Sequence, residues 1–274
     1  MKKIIYILAC LTALAACTPQ LEESPEMLVV EGWIESNAAP VVFVTSSVST
    51  TFDKKDVTDL MSHVALNATV TVTCNDTTYR LFPTVRDEYF MKLCYTTTAL
   101  TGKVGSTYTL NVDWKGMHAQ AVTSILPPGS VDSIAVEHNQ NIDTAYTVKA
   151  RVQPVPQARY YRFFSMAVDK DPTFAASYVG LFDSQLNKDM VAVNRGAHSP
   201  IETNDYYYGL GDSVIFKLAS MDATAYDFWS KFEENVMFSH TALLPYYNNL
   251  KGNISGGLGY FFGYGITQYS VTIK

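Results

Sequence analysis

A cysteine near the start of the chain is the residue with the clearest chemical use. Met1-Lys2-Lys3 precedes the apolar stretch from Ile4 to Ala13, which is too short to span a bilayer and is typical of a secretion signal. Leu14-Ala15-Ala16-Cys17 then matches the lipobox, in which small residues lie extended in the signal peptidase and the thiol takes a diacylglycerol. Residues 1–16 are therefore predicted to be a cleaved lipoprotein signal peptide, and Cys17 the lipidated residue.

The residues after Cys17 predict where the anchored protein goes. Thr18 follows the cysteine, where an Asp would signal retention in the inner membrane, so the outer membrane is favoured. Leu21-Glu22-Glu23 resembles the short acidic signals of surface-exported lipoproteins, although an ordinary solvated linker has the same composition. Residues 17–26 are interpreted as a lipidated tether on an outer-membrane protein displayed at the cell surface.

Cys74 and Cys94 are the two other cysteines of the mature chain, because Cys10 leaves with the signal. Export delivers the chain to a compartment that permits disulfides, and both residues lie in predicted strands. A disulfide between Cys74 and Cys94 is the favoured prediction, and two separate buried thiols are the alternative. No CxxC or Cys/His spacing indicates structural zinc.

Histidines and acidic residues show no recognised catalytic spacing. The five histidines are scattered, and neither HExxH nor GxSxG occurs. Asp169-Lys170-Asp171 lacks the glycine and glutamate of a calcium loop, and the group of Asp53, Asp56 and Asp59 is equally a solvated face. The sequence therefore predicts no catalytic residue, no metal and no cofactor. A triad that assembles only in space is the open alternative.

Tyrosine clusters are the strongest indication of a binding surface. The chain has 18 tyrosines, and Tyr206-Tyr207-Tyr208 and Tyr246-Tyr247 lie in turn-rich segments. Amphipathic rings suit contact with a protein, a sugar or a peptide, so these five tyrosines are the candidate partner-binding residues. Tyr206 to Tyr208 cannot all point into one core, because neighbours on an extended chain face opposite sides. The aromatic residues from Tyr260 to Tyr264 are assigned to a core by preference.

β-Strands must position these residues, because short runs rich in Val, Thr, Ile, Tyr and Phe recur between turn residues. The strands predicted in the first half are Met27–Ile34, Val41–Val48, Ala68–Cys74, Thr77–Phe82, Tyr89–Tyr95, Thr107–Trp114 and His118–Ile125. Those in the second half are Val131–Glu137, Thr144–Val152, Tyr160–Val168, Tyr178–Asp183, Ser213–Ala219 and Gln268–Lys274. A glycine-rich bulged hairpin is expected before the last strand.

One helix is predicted at about residues 222–236. Apolar side chains recur there at helical spacing behind an N-cap at Ser220 or Asp222, and they form a stripe that we expect to pack on the sheet. The stripe consists of Ala225, Phe228, Trp229, Phe232 and Val236. An open groove for a partner is the alternative use of this stripe.

The segment Leu126-Pro127-Pro128-Gly129-Ser130 is the predicted domain boundary, because two prolines and a glycine end the preceding strand. Seven short strands in about a hundred residues are typical of a β-sandwich. The predicted fold is therefore all-β, with two β-sandwich domains of immunoglobulin or prealbumin type and one amphipathic helix in the second. The predicted domains are residues 27–126 and 131–274, joined by the linker 127–130.

Charge excludes one class of partner. Removal of residues 1–16 leaves 18 basic against 26 acidic residues, a formal charge of −8. No Lys/Arg run is longer than Lys54-Lys55, so nothing indicates a nucleic-acid partner. No second apolar run approaches membrane-spanning length, and lipid is the only predicted anchor.

Several segments together resemble the domain of unknown function 4249 family. They are Leu28–Ile34, Gly105–Leu110, Trp114-Lys115-Gly116, Pro127-Pro128, Val131–Ile134, Gly211–Val214 and Asn253–Phe261. The resemblance implies an exported lipoprotein, often encoded beside a TonB-dependent outer-membrane transporter, and it brings no known catalytic residues. The loop from Asn235 to Asn249 carries the apolar and aromatic run from Leu243 to Tyr247, and the detail of this loop is expected to be specific to this chain.

Three functions follow as hypotheses. The first is a non-catalytic surface lipoprotein that serves a TonB-dependent nutrient transport system by binding the transporter, its ligand or both. The second is a structural or adhesive lipoprotein of the cell envelope. The third is a hydrolase that acts on captured nutrients.

Overall fold

The computed structural model describes residues 25–47, 62–196, 206–238 and 250–274, which are mostly β-structure. In the first half the strands are β1 (Leu28–Glu35), β2 (Val41–Ser46), β3 (Thr69–Cys74), β4 (Thr77–Val85), β5 (Leu93–Thr96), β6 (Thr107–Trp114) and β7 (Met117–Ser124). In the second half they are β8 (Ser130–His138), β9 (Tyr146–Gln153), β10 (Tyr160–Ala167), β11 (Ala175–Asp183), β12 (Val191–Val193), β13 (Ser213–Met221) and β14 (Leu258–Thr272). Among the described residues α1 (Ala223–Phe238) is the one helix, and the predicted all-β fold is confirmed.

Eleven strands form one large sheet in the order β11-β10-β13-β14-β1-β2-β5-β4-β3-β6-β7. Strand β14 pairs in parallel with β1, so the end of the chain joins the sheet beside its beginning. The remaining strands form a three-stranded sheet in the order β12-β9-β8. Residues 127–130 lie where β7 passes to β8, and the division into two domains stays a prediction.

Strand β14 contributes to both main cores from one face, at different points along its length, and its other face lies under the helix because successive side chains alternate between the two faces. Phe261 packs into a core with β1 to β7, in which Leu110 and Tyr108 are fully buried. Further along the same face, Val271 contacts a second core that lies between the large sheet and the three-stranded sheet. Phe262 faces the opposite side, under α1.

Glycines in β14 allow other backbone segments to lie against the strand. A Cβ on Gly263 would come 2.6 Å from the Ser124 carbonyl oxygen, and one on Gly265 would come 2.0 Å from the Leu126 carbonyl oxygen. Contacts this short are excluded, so the segment that leaves β7 needs glycine at both positions. The predicted bulged hairpin before a short last strand is therefore wrong, because these glycines belong to one 15-residue strand.

The predicted helix is confirmed, and Asp222 is its N-cap: the Asp222 carboxylate accepts the Ala225 N–H at 2.8 Å. Ala225 and Phe228 are 1% and 6% exposed and pack on the sheet as expected. Phe232 is 39% exposed, so the apolar stripe does not pack along its whole length.

The predicted disulfide between Cys74 and Cys94 is wrong in this structure, where both are free, buried thiols. Cys74 packs in the first core together with Tyr95. Cys94 is the neighbour of Tyr95 on β5 and points to the opposite face, where it packs with Val41 and Phe43. Strand β4 also separates β3 from β5, so the two thiols lie on different strands and different sides of the sheet.

Candidate functional site

The best-formed cavity lies on the face of the large sheet that carries α1, at the seam between β1 and β14. Trp33 and Glu35 alternate onto this face from β1, and they pair with Phe262 and Tyr264 of β14. Parallel pairing of two segments from opposite ends of the chain thus brings their side chains onto one surface.

Aromatic side chains form most of the wall of this cavity, which has a volume of about 340 Å³. We call it the aromatic pocket. Its aromatic wall includes Trp33, Tyr89, Phe174, Trp229, Tyr260 and Tyr264, and its polar lining consists of Glu35, Arg86, Thr173 and Lys217. Ligand sites are commonly concave and apolar with a few convergent polar groups, and this cavity fits that description.

Ring packing holds the wall beside β1 in place. Tyr89 makes edge-to-face contacts with Trp33 and Phe43, at centroid separations of 5.9 and 5.5 Å. Each such contact adds about 1 kcal/mol beyond the area it buries. Burial also raises the pKa of Tyr89 to about 12. The wall is therefore fixed by contacts between its own rings and with Phe43, which lies outside the cavity, and it carries a neutral phenol.

Trp229 brings the helix to the pocket. Its indole N–H donates to the Tyr264 hydroxyl at 2.9 Å, which fixes the orientation of both rings. The hydroxyl can still donate its own proton to a further acceptor. Burial raises the pKa of Tyr264 and of Tyr260, so neither phenol ionises near neutral pH.

An ion pair lies among these rings. The Lys217 ammonium of β13 donates to the Glu35 carboxylate of β1 at 2.7 Å, and each side chain is 16% exposed. The same ammonium lies 4.2 Å from the ring centre of Phe174, a cation–π contact. The two charges cancel, and the pair offers an acceptor and a donor side by side.

Arg86 is the other charged residue of the lining. Its guanidinium donates to Glu88 at 3.1 Å. The two side chains are 42% and 30% exposed, so this pair contributes little to stability. It leaves the local charge near zero.

A second cavity, of about 500 Å³, lies across Trp229 and Tyr260 from the first. Its lining is apolar except for Glu31, and includes Phe228 and Phe232. It lacks the convergent donors and acceptors of the aromatic pocket, which is therefore the better candidate for a ligand site.

The predicted partner-binding tyrosines lie elsewhere. Tyr206 is 39% exposed and its ring stacks on Tyr178 with a centroid separation of 4.5 Å. Tyr207 is half-buried. Tyr208 is 1% exposed and belongs to the second core, so its assignment to a binding surface is wrong. Backbone hydrogen bonds in both directions with Tyr146 hold Tyr208 inside.

Other predicted positions fall outside the described residues. These are the lipidated Cys17 with the signal peptide, the group of Asp53, Asp56 and Asp59, and the candidate contacts Tyr246 and Tyr247. Within the described residues, no three His, Cys, Asp or Glu side chains are grouped to hold a metal. Asp171, weighed above as a calcium ligand, instead pairs with Arg195.

Sequence reasoning missed the pocket because its polar pair is 182 residues apart in the chain. One signal was present: Trp33 and Glu35 on β1 are two residues apart, and Tyr260, Phe262 and Tyr264 on β14 recur at the same two-residue spacing, which is that of one strand face. Tyr260 and Tyr264 had been assigned to a core by preference, and they do pack in the cluster beneath α1 while also lining the cavity.

No helix of the described residues has the length and apolar character to cross a membrane.

Comparison with known proteins identifies the family. No curated protein matches the sequence. The model of one family, described as a domain of unknown function, matches residues 16–270, which is nearly the whole chain. The protein with this aromatic pocket therefore belongs to the domain of unknown function 4249 family.

Proposed function

We propose that the chain is a lipid-anchored protein of the outer membrane, displayed on the cell surface, that serves as a non-catalytic, ligand-binding accessory of a TonB-dependent nutrient transporter. Cys17 carries the lipid and residues 1–16 are removed. The lipobox supports the anchor. The chain belongs to the domain of unknown function 4249 family. Its resemblance to that family implies an exported lipoprotein, often encoded beside such a transporter, and this supports the partner.

The aromatic pocket is the observation that carries the binding role. Its walls come from β1, β13, β14 and α1 and are held by ring packing, the Trp229–Tyr264 hydrogen bond and the Glu35–Lys217 pair. A cavity fixed in this way loses little conformational entropy when it takes up a ligand. Preorganisation of this kind favours binding.

The chemistry of the lining favours binding over hydrolysis. Glu35 is the one carboxylate among the described lining residues, and it is neutralised by Lys217. Paired carboxylates or an activated nucleophile would be expected for hydrolysis. The raised pKa values of Tyr89, Tyr260 and Tyr264 also keep these phenols from acting as bases near neutral pH.

Membrane fractionation and copurification test the anchor and the partner. The wild-type protein is extracted in mild detergent without crosslinker, and the proteins that accompany it are identified by mass spectrometry. We expect an outer-membrane TonB-dependent transporter in the eluate. Cys17→Ala, expressed with the same signal sequence, should be soluble or retain its signal, because lipid is the only proposed anchor.

Two outcomes would contradict the proposal. If Cys17→Ala stays in the outer membrane as tightly as the wild type, the lipid anchor is wrong. If the wild type is anchored but only envelope proteins other than transporters accompany it, the structural or adhesive role replaces the transport role.

A further inference from the structure

We propose that the aromatic pocket binds a neutral carbohydrate, one or two sugar rings in size, with adjacent hydroxyls bridging Glu35 and Lys217. This inference rests on the proposed function only in taking the pocket as the ligand site. It adds the chemical class of the ligand and the role of the ion pair.

The aromatic rings of the pocket match the apolar face and polar rim of a sugar. A pyranose has a flat apolar face of C–H groups and a polar rim of hydroxyls, so it suits a site where aromatic rings and polar groups alternate. Trp229 and Tyr260 stand at 67°, and Trp33 and Tyr89 at 77°. Near-perpendicular ring pairs form corners that contact a puckered ring on more than one side.

The ion pair of Glu35 and Lys217 matches two neighbouring hydroxyls of a sugar. Glu35 and Lys217 place a carboxylate oxygen and an ammonium nitrogen 2.7 Å apart, and this is close to the spacing of neighbouring hydroxyl oxygens on a sugar ring. One hydroxyl can donate to Glu35 while the next accepts from Lys217. The cation–π contact with Phe174 and the bond to Glu35 hold the ammonium before the ligand arrives.

The charge balance of the pocket favours a neutral ligand. A neutral ligand can bond to both partners of the pair without separating them. An anionic ligand would have to compete with Glu35 for Lys217, and a cationic ligand would compete with Lys217 for Glu35. Either competition leaves a partly buried charge without its partner, which is unfavourable. Arg86 is already paired with Glu88, so it does not alter this balance.

The volume of the pocket limits the size of the ligand. A volume of about 340 Å³ is at the lower end of the range for ligand pockets. It admits a monosaccharide or disaccharide and excludes a bulky ligand. Residues with hydroxyl groups also line the cavity beyond the ion pair, namely Thr173, Tyr260 and Tyr264.

Isothermal titration calorimetry on the full mature lipoprotein tests the proposal, in a zwitterionic detergent without a sugar headgroup. The probes are glucose, galactose, maltose and cellobiose as neutral ligands, glucuronic and galacturonic acid as anions, glucosamine as a cation, and a neutral dipeptide. We expect saturable binding of at least one neutral sugar, about tenfold tighter than its acid counterpart.

Variants of the ion pair give a result that misfolding cannot imitate. Glu35→Gln should weaken the neutral sugar about tenfold and improve the uronic acid relative to it, because Lys217 is then an unpaired cation. Lys217→Gln should shift the preference toward glucosamine. The matched control is the pair Asp227 and Lys231 on the outer face of α1, 2.6 Å apart, which Asp227→Asn with Lys231→Gln removes without touching the pocket.

The outcomes separate this proposal from the proposed function. If the dipeptide or a charged sugar binds at the pocket while the neutral sugars do not, the carbohydrate inference is overturned and the ligand-binding role stands. If no probe binds and the pocket variants leave transporter copurification unchanged, both the inference and the ligand-binding part of the function fail. Equal losses for all sugars in Glu35→Gln and Lys217→Gln, without a change of preference, would overturn the role of the ion pair.

Discussion

The guanidinium carbon of Arg162 lies 4.6 Å from the ring centre of Trp229, a wall residue of the aromatic pocket. Arg162 comes from β10 beneath α1, is 4% exposed and donates to Glu233 of the helix at 2.7 Å. Its Nε and Nη1 atoms are buried without hydrogen-bond partners, and burial lowers the pKa of the guanidinium. A buried cation thus connects the sheet, the helix and one wall of the pocket.

Removing Glu233 alone should lower the free energy of unfolding more than removing the charge of Arg162 itself. Glu233→Ala leaves the Arg162 charge without its anion, and we expect a loss of about 3 kcal/mol in the free energy of unfolding. Arg162→Met replaces the charge with an apolar chain of similar length, and its effect should stay within about 1 kcal/mol of the wild type. Chemical denaturation followed by Trp fluorescence measures both.

The two variants together show whether the buried charge of Arg162 destabilises the protein. A larger loss in Arg162→Met than in Glu233→Ala would show that the guanidinium packs productively on Trp229 and that its charge carries no penalty. Trp emission of Arg162→Met, compared in wild-type and Trp229→Phe backgrounds because the chain has 3 tryptophans, reports separately whether the Trp229 ring keeps its environment.

A second ion pair predicts a pH dependence. Arg159 donates to both carboxylate oxygens of Asp183, with two of the distances at 2.9 Å, and this holds the pKa of Asp183 below its usual value. The folded state therefore favours the ionised carboxylate. Its contribution is complete at neutral pH and is lost as the pH falls through the lowered pKa in the acidic range.

Asp183→Asn should accordingly lower the free energy of unfolding by about 1 kcal/mol at neutral pH, since it removes charged hydrogen bonds whose Arg159 partner is partly exposed to solvent. The difference from the wild type should shrink as the solution is acidified, because the wild-type carboxyl then becomes neutral too. Urea denaturation from neutral to acidic pH is the measurement. A difference that stays constant over this range would contradict the linkage to Asp183.

The thiols give a third prediction. Cys74 and Cys94 are buried on opposite faces of the sheet, so a thiol reagent should leave both unmodified in the native protein and modify both after unfolding without reductant. Mass spectrometry after alkylation counts the modified residues. Protection that persists in the unfolded, unreduced protein would indicate a disulfide and contradict the arrangement of β3 to β5.

Local features of the fold were predictable from sequence. Alternation of side-chain types set β6 at Thr107–Trp114 with the bounds observed, and the cap at Asp222 marked the start of α1. Strand β12 was missed, since its three residues are too few to show alternation. The glycines of β14 were misinterpreted because close backbone approach and a hairpin require the same residue.

Non-local relationships were not predictable in the same way. The parallel pairing of β1 with β14 brings Glu35 to the same face as Tyr264, and nothing in either segment names its partner. Burial of Cys74 and Cys94 on different faces depends on their register along β4, where they pair with Thr77 and Thr84, and this register is again a property of the assembled sheet. The aromatic pocket exists only through that order, whereas the lipobox around Cys17, which stays a prediction, rests on a local pattern.

The exposed tyrosines give the fourth prediction, which concerns the surface that contacts a partner. Tyr178 is 47% and Tyr206 39% exposed, and their rings stack on each other at the edge strand β11. Val179 beside them has a φ of 55°, which is unusual for a β-branched residue and costs energy of order 1–3 kcal/mol. We therefore expect this exposed pair of stacked rings to form part of the surface that contacts the proposed partner.

We expect Tyr178→Ser with Tyr206→Ser to reduce copurification of the partner at least tenfold, because aromatic anchors commonly contribute 2 kcal/mol or more at an interface. Tm should change little, since both residues are exposed and neither belongs to a hydrophobic core cluster. The control is Tyr208→Ser: this ring is 1% exposed in the second core, so its truncation should cost about 3 kcal/mol or more of stability. Unchanged copurification by the double variant at unchanged Tm would show that the stacked pair is not the partner surface, whereas a large fall in Tm would show that Tyr178 and Tyr206 serve the fold.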